Sequence, residues 1–223
     1  MALLAFDLDG VLYSSEPFLG DAYREAIATV NGRHPGAFAR VPTTAEILQH
    51  VGWPLPVIFA NLFPDVAAAA LAELHEETLV VICRRVAAGE GEMYGEVPST
   101  LRALRAAGHT LIVASNGRTR YVEAVLATYG VGDCFLPRVT ADDVGDKTAV
   151  LRHYLAAVPA TPARTVMIGD RASDVDAARA VACRFVGCDY GHGHRAEIEA
   201  AGPLVQRFAD LPATLAAVLE SPP

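Results

Sequence analysis

The sequence Ala2-Leu3-Leu4-Ala5-Phe6-Asp7-Leu8-Asp9-Gly10 decides the fold class of this chain. Its first five residues are an uninterrupted apolar run that is too short for a helix, which is typical of a buried parallel strand. Similar apolar runs recur at residues 110–114, 165–168 and 184–187. Together these runs predict a parallel sheet that is buried on both faces.

Segments of helical periodicity separate the apolar runs from about residue 96 onward. Apolar residues recur in these segments at spacings of three and four, which indicates amphipathic helices. Strands that alternate with helices are typical of a sheet with right-handed crossovers and helices on both faces. We therefore expect an α/β fold with a doubly wound, Rossmann-like parallel-sheet core.

The first two strands are separated by about a hundred residues, many more than a single crossover helix requires. Helical patterns within this stretch lie at residues 19–30, 44–51, 54–62 and 66–86, and Thr44 is expected to cap the second of them. We expect an all-helical domain at residues 13–93. This domain would be inserted into a core domain formed by residues 1–12 and 94–223.

The composition excludes several classes of protein. The chain has 223 residues, of which 52% are hydrophobic and 20% charged, so it is neither disordered nor a membrane span. A formal net charge of -8 without a basic cluster argues against a nucleic-acid partner. Because the apolar N-terminus is short and has no basic leader, a cytoplasmic location is expected. The four cysteines lack the spacing of a zinc site or disulfide framework.

Short polar side chains stand directly after three of the four strand patterns. They are Asp7, Asp9, Ser115, Asn116, Asp170 and, four residues further on, Asp174. Ligands bind to open α/β sheets at the carboxyl ends of the strands. We therefore expect these side chains to share one site.

Four carboxylates in one crevice repel each other unless a cation lies among them. All of the candidate ligand atoms are oxygens, which favours Mg²⁺ over zinc or copper. Lys147 is the only lysine among 18 basic residues, and a compact ammonium suits a tight phosphate site better than a guanidinium does. An aspartate beside a magnesium ion, a lysine and a serine hydroxyl predicts phosphoryl transfer.

The order of these motifs resembles the four sequential motifs of the haloacid dehalogenase superfamily. The motifs are Phe6-Asp7-Leu8-Asp9-Gly10-Val11-Leu12, Ser115, Lys147 and Gly169-Asp170-Arg171 with Asp174. The helical insertion after the first motif resembles the cap of the phosphoglycolate phosphatase-like branch. Three short sequences resemble the same branch, namely Gly52-Trp53-Pro54, Asp176-Ala177-Ala178-Arg179 and Tyr190-Gly191-His192-Gly193. Lys147 departs from the pattern, because it lacks the Gly-Lys-Pro sequence that is common in this superfamily.

The resemblance implies a magnesium-dependent phosphatase that hydrolyses a small phosphorylated metabolite through an aspartyl-phosphate intermediate. Asp7 would be the nucleophile and a metal ligand. Asp9 would act as general acid and base, and would bind the metal through its backbone carbonyl. Asp170 would be a direct metal ligand, while Asp174 would act through water or orient the site.

The resemblance also implies how the substrate is held. Ser115 and Asn116 would bind the phosphoryl group, and Lys147 would offset charge between the nucleophile and the phosphate. Gly52 and Trp53 would contact the leaving group, although Trp53 could also be a packing residue. The physiological ester stays open, and so does the choice between a monomer and a homodimer.

Three other functions compete with this interpretation. Dehalogenation does not need Asp9. Sugar-phosphate mutases of the superfamily carry a cap histidine where this chain has Leu19. A catalytically silent phosphate-binding module is the third possibility. The roles of Arg84, Arg85, His192 and His194 stay open, with a solvated turn expected for the two histidines.

Overall fold

The computed structural model describes residues 1–53 and 55–221. The strands in these residues are β1 (Leu3–Phe6), β2 (Tyr13–Ser14), β3 (Glu92–Met93), β4 (Thr110–Val113), β5 (Thr165–Gly169), β6 (Arg184–Cys188) and β7 (Leu204–Val205). The helices are α1 (Glu16–Arg33), α2 (Thr44–Leu48), α3 (Leu55–Leu62), α4 (Ala68–Ala87), α5 (Val97–Ala106), α6 (Thr119–Thr128), α7 (Ala141–Val144), α8 (Lys147–Ala157), α9 (Ala172–Ala180), α10 (Arg195–Ile198) and α11 (Leu211–Glu220). Short 3-10 turns lie at Gly132–Cys134, Pro162–Arg164 and Phe208–Asp210.

A five-stranded parallel sheet in the order β4-β1-β5-β6-β7 forms the core. The strands β1, β4, β5 and β6 confirm the four apolar runs of the sequence, and the bounds of each strand agree with its run to within one residue. The strand β7 was not predicted, because two residues are too few to show a pattern. It pairs with the end of β6, where Gly187 lies opposite Leu204 and Cys188 opposite Val205.

Helices cover both faces of this sheet, as expected for a doubly wound fold. Successive side chains of a strand point to opposite faces. Leu4 and Phe6 of β1 accordingly belong to the apolar cluster that includes α5, α6 and α11. Leu3 and Ala5 belong to the cluster on the other face, which includes α8 and α9. All four are buried, which explains why the strand reads as a continuous apolar run.

The helices α1 to α4 form the helical insertion, and they lie between β2 and β3 in the chain. The long helices α1 and α4 pack along each other. Arg84 and Arg85 in the last turn of α4 bind the Glu25 carboxylate of α1 at 2.5 and 3.2 Å. These arginines tie two helices together, and Arg85 also binds Glu90 at 2.8 Å.

The start of α2 differs from the sequence expectation. Thr43, and not Thr44, caps this helix, since its hydroxyl oxygen accepts a hydrogen bond from the Glu46 backbone amide. The Glu46 carboxylate accepts one from the Thr43 amide in return, which completes a capping box. The helix ends at Leu48 rather than near Val51.

The two connections between the sheet and the helical insertion run side by side. They form the antiparallel pair β2–β3, in which Tyr13 lies opposite Met93. The Tyr13 hydroxyl donates to the Glu90 carbonyl at 2.6 Å. Gly91 has a φ of +88°, and a Cβ there would lie 1.9 Å from the Tyr13 hydroxyl oxygen, so only glycine fits. The boundaries at residues 13 and 93 themselves stay a prediction.

None of the helices that the structure describes combines the length and the apolar character needed to cross a membrane.

Candidate active site

Asp7 lies at the centre of the strand ends. Its backbone amide donates to the Ile168 carbonyl at 2.9 Å, so the residue continues the ladder between β1 and β5 and is fixed by the sheet. The side chain is buried, and its Oδ1 accepts from the Leu8 amide at 2.8 Å. Its other oxygen, Oδ2, lies 2.9 Å from the Nζ atom of Lys147.

Lys147 is held beside Asp7 by the start of α8. Asp146 caps this helix and accepts from the Ala149 amide at 2.7 Å, which fixes the loop without the Gly-Lys-Pro sequence. The ammonium is buried and also lies 2.5 Å from Asp174 Oδ1. Burial lowers the pKa of Lys147, but the Asp174 and Asp7 carboxylates outweigh it and raise that pKa above its ordinary value. The lysine therefore stays charged.

Three buried carboxylates meet at this point. One oxygen from each of Asp7, Asp170 and Asp174 lies within 4.8 Å of the other two. Asp174 Oδ2 accepts from the backbone amides of Asp170 and Arg171 at 3.1 and 3.0 Å. The Asp174 carboxylate is thus shared between Lys147 and the backbone.

The two carboxylate oxygens of Asp170 differ, because one accepts hydrogen bonds and the other does not. Oδ2 accepts from the amides of His192 and Gly193 at 2.7 and 3.1 Å. Oδ1 is buried and finds no hydrogen-bond partner within residues 1–53 and 55–221. Burial, followed by the charge of Asp174, raises the pKa of Asp170 above its ordinary value. An orphaned oxygen in an all-oxygen cluster fits a hard divalent cation such as Mg²⁺.

The Asp9 side chain is held apart from that cluster. Its Oδ1 accepts from the Tyr121 hydroxyl at 2.6 Å and from the Ser15 hydroxyl at 3.4 Å. Although Asp9 is partly exposed toward a pocket, loss of hydration raises its pKa to about 6, and the two hydrogen bonds partly oppose this rise. A carboxyl group with such a pKa can both give and take a proton near neutral pH.

Ser115 and Asn116 follow β4, as the sequence predicts. Ser115 is buried, and its Oγ accepts from the Gly117 amide at 2.9 Å. The Asn116 side-chain nitrogen donates to the Gly52 carbonyl at 2.9 Å, so it holds a loop of the helical insertion against the strand ends. Arg171 does the same, since it donates to the Gln49 carbonyl at 2.9 Å.

A pocket opens beneath that loop, between the helical insertion and the strand ends. Its cavity volume is about 70 Å³, and the pocket is partly open to solvent. Asp9, Ser115 and Asn116 line its core side, and Gly52 and Trp53 line it from the insertion. The Trp53 side chain is 50% exposed, which does not support its interpretation as a packing residue. Pro54, predicted in the same loop and at the start of α3, lies outside the described residues.

The sequence did not reveal the contact between Tyr121 and Asp9, nor that between Asp170 and the loop after β6. Tyr121, in the first turn of α6, shows only as one more apolar position of an amphipathic helix, yet it binds Asp9. The loop after β6 was interpreted as a solvated turn around His192 and His194. His192 departs from that expectation, because the residue is partly buried and its backbone amide donates to Asp170. His194 is exposed and precedes α10.

Glycines are the signal that could have revealed this loop. A Cβ at Gly191 would lie 2.4 Å from the Asp170 Cβ, and one at Gly193 would lie 1.8 Å from the Asp170 carbonyl oxygen. No real side chain tolerates such distances, so the Gly-His-Gly sequence is required for close approach to Asp170. A Cβ at Gly10 would likewise lie 2.2 Å from Asp170 Oδ2.

Sheet topology, acidic strand ends and the buried lysine together define a hydrolase of the haloacid dehalogenase type. The family model described as haloacid dehalogenase-like hydrolase matches residues 1–182, so the chain belongs to this family. It is similar to a phosphoglycolate phosphatase of Pectobacterium atrosepticum, with 32% identity over 213 residues that cover 93% of this chain and 89% of the relative. A phosphoglycolate phosphatase of Haemophilus influenzae is 27% identical over 213 residues, covering 90% of this chain and 91% of the relative.

The fold is similar to that of a solved structure over nearly its whole length. The crystal structure of CbbY from Rhodobacter sphaeroides in complex with phosphate superposes with a TM-score of 0.80 at 21% identity. The match covers 97% of this chain and 100% of that chain. The comparisons confirm the expectation of a phosphatase of this superfamily.

Proposed function

We propose that the chain is a magnesium-dependent phosphatase that hydrolyses a small phosphate monoester through an aspartyl-phosphate on Asp7. The observation that carries this proposal is the buried arrangement of Asp7, Lys147, Asp170 and Asp174 at the strand ends. The curated relatives named phosphoglycolate phosphatases support the reaction type. We also propose that residues 13–93 act as a cap domain on a core formed by 1–12 and 94–223.

The residues that would hold Mg²⁺ are Asp7, Asp170 and the backbone carbonyl of Asp9. The orphaned Asp170 Oδ1 supports this assignment. When bound, the ion neutralises carboxylate charge and polarises the phosphoryl oxygens. Asp174 would remain bound to Lys147 and to two backbone amides, so it would orient this site without contacting the ion.

In the first half-reaction, a carboxylate oxygen of Asp7 attacks phosphorus while the bond from phosphorus to the leaving oxygen breaks. Asp9, protonated at this stage, donates its proton to that leaving oxygen. The Lys147 ammonium offsets the negative charge that builds up between Asp7 and the phosphoryl group. Ser115 and Asn116, which line the pocket on the core side, would hold the phosphoryl oxygens.

In the second half-reaction, Asp9 accepts a proton from a water molecule, and the water oxygen attacks phosphorus. The bond between phosphorus and Asp7 then breaks, which releases inorganic phosphate and restores the free carboxylate. One residue can serve both steps because Asp9, after giving its proton to the leaving oxygen, is the carboxylate that can take a proton from water. Its hydrogen bonds to Tyr121 and Ser15 keep it at one place for both proton transfers.

The pocket favours a phosphatase over a mutase. At position 19, where related mutases place a histidine, Leu19 lines the pocket with an apolar side chain. The described residues that line the pocket include no histidine. A silent binding module would not need the acid/base arrangement of Asp9 and Tyr121.

Hydrolysis of 4-nitrophenyl phosphate by the purified chain tests this function. We expect release of inorganic phosphate with Mg²⁺ and its loss on addition of a chelator, restored by excess Mg²⁺. Equal activity without the ion would overturn the metal assignment. With a sugar phosphate, recovery of an isomer in place of free phosphate would favour the mutase.

A further inference from the structure

Apart from Ser15, whose hydroxyl binds Asp9, the side of the pocket formed by the helical insertion is apolar. Six buried or nearly buried side chains form this wall, from α1, α3, α4 and the loop before α3. They are Leu19, Tyr23, Val51, Ile58, Leu79 and Ile82. Tyr23 packs on Phe59 with the ring centroids 5.5 Å apart, and this contact stabilises the wall. Trp53 extends the wall toward solvent.

Charge in the pocket is confined to two side chains of the core. Among the described residues that line it, Asp9 is the one anion and Arg118 the one cation. Arg118 is already neutralised, because its Nε lies 2.7 Å from Asp142 Oδ2 and its Nη1 lies 3.0 Å from Glu76 Oε1. A carboxylate on the leaving group would have to compete with both of these acids for Arg118.

A charged leaving group would also lose its hydration against the apolar wall. Transfer of an unpaired carboxylate out of water is costly, whereas transfer of an apolar group is favourable. For the phosphoryl end of the substrate, the site supplies buried positive charge through Lys147 at the strand ends. The space beyond it suits a group of low polarity.

We infer that the leaving group of the substrate is an uncharged, apolar alcohol, aromatic or branched aliphatic, and not a carboxylate-bearing alcohol such as glycolate. This inference rests on the proposed phosphatase function, and it adds the class of ester. It also sets this chain apart in specificity from the relatives named for phosphoglycolate.

Benzyl phosphate and 2-phosphoglycolate make a suitable pair of probes. Both are esters of primary alcohols, so they differ mainly in the group that meets the wall. With Mg²⁺ we expect kcat/KM for benzyl phosphate to exceed that for phosphoglycolate by at least about tenfold, the discrimination that an apolar pocket achieves. Equal or greater kcat/KM for phosphoglycolate would overturn the inference and leave the phosphatase intact.

A binding measurement distinguishes a failure of this inference from a failure of the proposed function. If neither ester is hydrolysed and 4-nitrophenyl phosphate is not hydrolysed either, the proposed function fails. Titration calorimetry with benzylphosphonate and phosphonoacetate then tests the wall without turnover. Tighter binding of benzylphosphonate supports an apolar site, and tighter or equal binding of phosphonoacetate overturns it.

A matched pair of variants tests the wall directly. Trp53→Arg places a new cation in the pocket, and Val80→Arg places one on the exposed face of α4 outside the pocket. Since both side chains are about half exposed, both variants should fold, which thermal unfolding checks. We expect Trp53→Arg to lower the preference for benzyl phosphate by about tenfold and Val80→Arg to leave it unchanged. An unchanged preference in Trp53→Arg would contradict the assignment.

Discussion

Replacing Tyr121 by phenylalanine removes one hydroxyl group and tests the role of Asp9. That hydroxyl lies 2.6 Å from Asp9 Oδ1 and supplies the shorter of its two side-chain hydrogen bonds. Burial and the neighbouring Asp9 charge raise the pKa of Tyr121 well above its ordinary value, so the phenol stays protonated and donates. Phenylalanine keeps the ring that packs in α6, so the change is confined to this bond.

The expected decrease in kcat follows from the negative charge of Asp9, which accepts the hydrogen bond from Tyr121. A hydrogen bond to a charged group contributes about 1.5–3 kcal/mol. Because about 1.36 kcal/mol corresponds to a tenfold change in rate, its loss lowers kcat by roughly 13- to 160-fold. Asp9 transfers protons and does not bind the phosphoryl group in our proposal. We therefore expect KM to change little.

Steady-state kinetics with benzyl phosphate at saturating Mg²⁺ measure kcat and KM separately. Tyr129→Phe is the matched control, since its hydroxyl bonds to the Gly91 carbonyl at 2.9 Å, away from the strand ends. It should keep normal kcat. A Tyr121→Phe enzyme with kcat within twofold of the parent would refute the positioning role, and so would an equal loss in both variants.

Two further substitutions test the buried centre. Lys147→Arg should lower kcat nearly as much as Lys147→Ala. The ammonium lies 2.5 Å from Asp174, and the wide guanidinium cannot fit in that space. Near-normal kcat and KM in the arginine variant would contradict this expectation. Gly193→Ala should lower the free energy of unfolding by about 1–3 kcal/mol, since its Cβ would collide with the Asp170 carbonyl. Gly95→Ala, whose Cβ would meet nothing within 4 Å, is the control in urea unfolding, and equal stability of the two variants would refute the clash.

The sheet could be predicted because each strand is buried on both faces. Such strands have no polar alternation, so β1, β4, β5 and β6 stand out as short apolar runs between helical patterns. The strand ends followed from the topology, since parallel strands deliver Asp7, Ser115 and Asp170 to one edge. Lys147 was found by its rarity in composition, and the structure brings it within ion-pair distance of Asp7.

Contacts that depend on distant parts of the chain could not be predicted in this way. The bond between Tyr121 and Asp9 joins residues 112 positions apart, and that between Asn116 and Gly52 joins residues 64 apart. No local pattern encodes such a pairing. The apolar wall of the pocket was equally hidden, because the periodicity of α1 and α4 looks the same whether an apolar side chain faces the core or a cavity.

The aspartyl-phosphate is the centre of this account, and its trapping tests the account most directly. Asp9→Asn removes the group that activates water, so the aspartyl-phosphate should be hydrolysed slowly enough to be trapped by an acid quench. After incubation with Mg²⁺ and 4-nitrophenyl phosphate, whose leaving group departs without taking a proton from Asp9, mass spectrometry of the digested variant should find one phosphoryl group on the peptide of β1, located at Asp7. The double variant that also carries Asp7→Asn should show none. A phosphoryl group on another residue, or turnover that persists in Asp7→Asn, would contradict the account.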